Sequence, residues 1–76
     1  MILYTKTVCP KCMFVKSELN EAGLEGRYET VNIDLDAAAK EKIVNAGFLT
    51  VPILEIDGQL IHDFSQINEE ISKLVG

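Results

Sequence analysis

The chain has 76 residues, 47% of them apolar, and a net charge of -5. That is enough for one small domain over residues 1–76 and its core, with no room for a separate substrate domain. The acidic balance argues against nucleic-acid or anionic-membrane binding, which need clustered Lys and Arg, and no apolar run approaches a signal peptide or a membrane span, so the expectation is a soluble cytoplasmic monomer.

Ile2 to Thr5 is an apolar run of strand formers and predicts the first strand. It leads into Lys6-Thr7-Val8-Cys9-Pro10. Pro10 suits the first position of a helix, where a missing N–H costs nothing. Val15, Leu19 and Ala22 then recur at helical spacing, and Gly23 supplies a stop. Tyr28, Thr30, Val31 and Ile33 suggest a second strand. Asp34 or Asp36 can cap a second helix, with Ala39, Ile43 and Ala46 on one face and Gly47 at its end. The charges of Asp34 to Lys42 read as a solvated helix face.

Pro52 cannot donate to a sheet ladder, so the third strand begins there. Asp57-Gly58 is a hairpin signal and places Gln59 to His62 antiparallel to it. Asp63 with Gln66 resembles a capping box before a third helix, whose apolar stripe is Phe64, Ile67, Ile71 and Leu74. The order β-α-β-α-β-β-α implies a parallel right-handed crossover followed by an antiparallel hairpin. The expected fold is α/β: a three-layer α/β/α sandwich on a mixed four-stranded sheet, with the first and third helices on one face and the second on the other.

The only two cysteines, Cys9 and Cys12, are separated by Pro10 and Lys11. A C-x-x-C pair beside a β-α-β pattern reads as a redox motif. Cys9 sits at the turn into the first helix, where unpaired N–H groups and the helix dipole favour a thiolate. Lys6 and Lys11 add positive charge. Cys12 lies one turn inward, so Cys9 is expected to attack and Cys12 to resolve the mixed disulfide. A structural staple is disfavoured, because so short a loop removes little chain entropy. A metal site needs about four ligands, and the chain offers two thiols and the distant His62. No metal site is therefore assigned. A binding module remains as the alternative, in which two chains share an iron–sulfur cluster through Cys9 with glutathione, or a zinc through both cysteine pairs.

Tyr4-Thr5-Lys6-Thr7-Val8-Cys9-Pro10-Lys11-Cys12, followed by Thr50-Val51-Pro52 and then the Ile56-Asp57-Gly58 hairpin, resembles the glutaredoxin family. The small size and the segment from Gly47 to Pro52 are most similar to NrdH-redoxins and short glutaredoxin-like proteins. The resemblance implies a thioredoxin-like fold and a thiol–disulfide oxidoreductase with no permanently bound cofactor. It implies Cys9 as nucleophile, Cys12 as resolving thiol and Pro52 as a cis-proline facing them. Val51 would offer its backbone to an extended substrate, Thr50 would line the same groove, and Lys6 would meet a carboxylate of glutathione. Glutathione or thioredoxin reductase would supply electrons, and a disulfide-bearing protein such as a ribonucleotide reductase would accept them. The chain departs from the pattern at one place. Glutaredoxins usually carry Gly-Gly after the fourth strand and NrdH-redoxins W-S-G-F; here Ile61, His62, Asp63 and Phe64 stand instead. Lys11 also replaces an aromatic residue and makes the loop more cationic.

Among the remaining residues, His62 reads as a partly exposed strand-end histidine contacting the third helix. Tyr4 and Phe48 read as core, as does Phe64, with the groove border as its alternative, and Met13 reads as packing.

Overall fold

Runs of β-branched and aromatic residues form the strands, and the segments closed by Gly23 and Gly47 form the first two helices, in the order expected. The computed structural model describes residues 1–75. Its elements are β1 (Ile2–Thr5), α1 (Pro10–Glu21), β2 (Glu29–Asn32), α2 (Ala37–Asn45), β3 (Ile53–Ile56), β4 (Gln59–Ile61) and α3 (Phe64–Val75). The sheet order is β2-β1-β3-β4. β1 runs parallel to β2 with Ile2 opposite Glu29, and antiparallel to β3 with Leu3 opposite Leu54. β3 and β4 form the hairpin, whose loop residues Asp57 and Gly58 both take positive φ (51° and 82°), as a two-residue turn matched to strand twist requires.

Alternation along β1 and β3 sends side chains to two cores. Leu3, Leu54 and Ile61 pack with Val15 and Leu19 of α1 and with Ile67 and Ile71 of α3. Tyr4 and Ile53 pack on the other face with Ile43 of α2. The helices thus flank the sheet as the sequence implied. The boundaries differ in detail. β3 starts at Ile53, one residue after Pro52, and β4 stops at Ile61, leaving His62 in the connection to α3. Tyr28 precedes β2, and its hydroxyl donates to Asn20 Oδ1 at 2.9 Å, tying the loop to α1. Ile33 follows β2, although its N–H still reaches the Thr5 carbonyl at 2.8 Å.

Helix ends follow local chemistry. After α1 the Leu24 N–H returns to the Leu19 carbonyl at 3.0 Å, and the Gly23 N–H to Asn20 at 3.1 Å. This double closure needs a left-handed residue, and Gly23 has φ of 80°. Leu24 and Leu19 also touch within the core, the apolar contact that accompanies the motif. Phe48 closes α2 on Ile43 in the same way. A Cβ at Gly23 would meet nothing within 4 Å, so only backbone strain opposes substitution. Gly23→Ala should therefore cost about 1 kcal/mol in urea unfolding; an unchanged midpoint would show that the cap contributes nothing.

The caps of α2 and α3 are more selective than the sequence suggested. Asp36, not Asp34, caps α2 by accepting the Ala39 N–H at 3.0 Å. Asp63 caps α3 by accepting the Ser65 N–H at 2.9 Å, so the bond runs to Ser65 and not to Gln66. On α3 only Ile67 and Ile71 of the expected stripe are buried; Phe64 and Leu74 are exposed. On α2 Ile43 is buried and Ala46 exposed. Met13, expected to pack, is 72% exposed on the outer face of α1.

The charged face of α2 is not wholly solvated. Lys42 Nζ reaches Glu55 Oε1 at 2.6 Å and the Tyr4 hydroxyl at 3.3 Å. The Tyr4 hydroxyl donates to the same Glu55 oxygen at 2.8 Å. Tyr4 lies opposite Ile53, so Glu55 is its diagonal neighbour on the sheet face, within reach of a long side chain. Tyr4 is thus core, with its one polar atom satisfied. The Lys42 bond, then the Tyr4 bond, hold the Glu55 carboxyl below its usual range, and burial pushes the Tyr4 hydroxyl up. A lowered carboxyl binds protons more weakly folded than unfolded. Its stabilisation is therefore complete above the unfolded value, near about 4.3, and is lost as pH falls further. Unfolding free energy should decline below about pH 5 in the wild type and less steeply in Glu55→Gln. Parallel pH profiles for the two proteins would remove Glu55 from that limb.

Candidate active site

Four short segments converge at one end of the sheet: the loop after β1, the start of α1, the segment before β3 and the segment after β4. The chain leaves β1 at Thr5 and crosses Lys6, Thr7 and Val8 before entering α1. This loop is tethered. The Thr7 N–H donates to Asp34 Oδ2 at 3.0 Å, and Asn32 Nδ2 lies 3.4 Å from Thr7 Oγ1. The Asp34 N–H in turn donates to Asn32 Oδ1 at 2.9 Å. Asp34 thus fixes the loop and does not cap α2. Its carboxyl is held below the usual range, chiefly by the Thr7 N–H and further by the Thr7 hydroxyl, Lys40 and Lys6.

Cys9 is the N-cap of α1 and Pro10 opens its first turn. The Cys12 N–H, one of the helix's unpaired donors, points at Cys9 Sγ from 3.1 Å. No acidic side chain sits in the first turn of α1, so the positive end of the helix dipole faces the sulfur unopposed. Cys9 and Cys12 are joined as a disulfide, with Cα atoms 5.2 Å apart. Cys9 is 8% exposed and Cys12 3%; both are buried, and Cys9 is the more open.

The Val51–Pro52 peptide bond is cis, and the Val51 carbonyl oxygen lies 4.0 Å from Cys9 Sγ. Beside the disulfide opens a groove of about 700 Å³. Lys6, Pro10, Lys11, Thr50, Val51 and Pro52 all line it, so the residues singled out in sequence are brought together. Three further side chains complete the lining: Phe14, Phe64 and His62. The rings of Phe14 and Phe64 meet at 5.2 Å, tilted by 48°. Both are substantially exposed, so Phe64 borders the groove and is not core. Phe14 was not singled out in sequence, yet it follows Pro10 by four residues and Lys11 by three, which places it on their helix face. The His62 ring packs on Phe48, with ring centres 4.9 Å apart. Among the described residues no three His, Cys, Asp or Glu side chains gather as a metal-ligand set.

A Cys-x-x-Cys pair at a helix N-terminus, over a mixed sheet covered by helices on both faces, marks the thioredoxin-like class of α/β proteins, and this chain has that fold. Within the class it belongs to the glutaredoxin family, whose family model, glutaredoxin, matches residues 1–61. The match ends before His62 and α3, so the far wall of the groove lies outside it. No curated protein matches the chain significantly. Membership implies redox activity of a general kind at the cysteine pair. Among the described residues no helix is long and apolar enough to cross a membrane.

Proposed function

We propose that this protein is a dithiol–disulfide oxidoreductase that reduces disulfides in proteins. The observation that carries the reading is the Cys12 N–H held 3.1 Å from Cys9 Sγ at the N-terminus of α1, which favours a thiolate at Cys9. That thiolate attacks one sulfur of a substrate disulfide. The substrate S–S bond breaks, its second sulfur leaves as a thiolate and takes a proton, and a mixed disulfide forms at Cys9. Cys12 then loses its proton and attacks Cys9 Sγ, which releases the first substrate sulfur as a thiol. Two electrons have passed, the substrate is a dithiol, and Cys9–Cys12 is a disulfide. Val51 and Pro52 position an extended substrate beside Cys9, with the Val51 backbone as a strand-like partner.

Electrons return from an external thiol, either glutathione or the dithiol of a thioredoxin reductase, and no resident cofactor takes part. Lys6 serves as a carboxylate contact for such a reductant or substrate. A ribonucleotide reductase fits as acceptor because it presents a disulfide to be reduced, and a cytoplasmic monomer suits that role. The test supplies the oxidised protein with NADPH and either thioredoxin reductase or glutathione with glutathione reductase, and follows electron transfer to insulin disulfides. Transfer from one system supports the reading and identifies the donor. A chemically reduced protein that leaves insulin disulfides intact overturns it.

A further inference from the structure

The groove beside Cys9 differs in charge from the rest of the molecule. The chain carries 12 acids and 7 Lys and Arg, yet among the described residues no Asp or Glu lines the groove. Its polar side chains are Lys6, Lys11, Thr50 and His62. Lys6 and Lys11 are exposed and make no ion pair among the described residues; the lysines that do are Lys42 and Lys73. Two acids outside the lining accept backbone N–H groups, and Lys6 acts on one of them, Asp34. Asp34 receives Thr7, and Asp63, between His62 and Phe64, receives Ser65. The Phe14–Phe64 pair gives the same groove an apolar stretch. Such a groove offers two cations with no ion-pair partner among the described residues, a backbone edge at Val51 and an apolar seat.

We propose, building on the oxidoreductase reading, that the groove selects extended protein segments that carry acidic side chains next to their cystine. Lys6 and Lys11 face the acidic flank while the backbone lies along Val51 and an apolar side chain rests on Phe14 and Phe64. The selection acts on encounter and docking, through complementary charge, and leaves the exchange chemistry as described. It is also screened by salt, because both lysines are solvent-exposed.

The experiment measures the second-order rate at which three cystine peptides oxidise the pre-reduced protein, with reductant removed. The peptides are identical except for two flanking residues, which are Glu, Gln or Lys. Each rate is divided by the rate of the same peptide with dithiothreitol, which is uncharged, to remove the effect of the flanks on the peptide's own disulfide. The expected order is Glu above Gln above Lys, with Glu about tenfold above Lys at low ionic strength and less than about twofold above it in 0.5 M salt. In Lys11→Gln the Glu-to-Lys ratio should narrow. Equal normalised rates for the three peptides, or a preference that salt leaves intact, overturns the proposal while the oxidoreductase reading stands. Failure of every peptide to oxidise the protein overturns that reading and this one with it.

Discussion

Cys9→Ser should lower turnover of protein disulfides by roughly 10³-fold or more, because a hydroxyl at residue 9 can neither form nor exchange a disulfide. The matching change at the second cysteine separates the two chemical steps. The donor that stabilises Cys9 is the backbone N–H of residue 12, 3.1 Å from the sulfur, not the Cys12 side chain. Cys12→Ser therefore keeps that donor, and its first step should proceed. The second step then has no attacking thiol. Incubation of Cys12→Ser with a cystine peptide should give one stable adduct, read by mass spectrometry as the mass of one peptide half, and released by dithiothreitol. An adduct on the Cys9→Ser protein instead would reverse the roles of the two cysteines.

Leu54→Ala should cost about 2–5 kcal/mol of folding stability. Leu54 is fully buried, lies opposite Leu3 on one side and Ile61 on the other, and touches the core shared with α1 and α3. Three side chains in register across β1, β3 and β4 leave little freedom to close the void. A chain of this length has a total stability of only about 4–11 kcal/mol, so the loss approaches the whole. Urea unfolding reads it as a lowered midpoint. Leu49→Ala, at a residue 87% exposed, serves as the comparison and should change stability by less than about 0.5 kcal/mol. Similar losses in the two variants would contradict the packing at Leu54.

The topology was legible because each turn carries its own chemistry: Gly23, Gly47 and Asp57-Gly58 end elements where the backbone must take positive φ. The convergence of Cys9 with Thr50 to Pro52 was legible only through family resemblance, since nothing local encodes a contact across 42 residues. Side-chain roles were less legible. Asp34 and Asp36 are equivalent as cap candidates by type, and only the crossover from β1 to β2 places Asp34 beneath Thr7. Lys42 read as solvated because its partners Tyr4 and Glu55 come from strands distant in sequence. Phe14, Met13 and Phe64 were misplaced or passed over for a common reason. Burial is the default for large apolar residues, and a chain this small has too little interior to cover all of them.

The two outer borders of the sheet have a consequence for behaviour at high concentration. β2 is four residues long and β4 three, and each has a partner on one side only. The exposed residues include Glu29 and Thr30 on one border and Gln59 on the other. Strands so short and so polar are poor templates for another chain, and a charge at the rim makes addition of a further strand repulsive. Short borders of this kind disfavour growth of the sheet by strand addition.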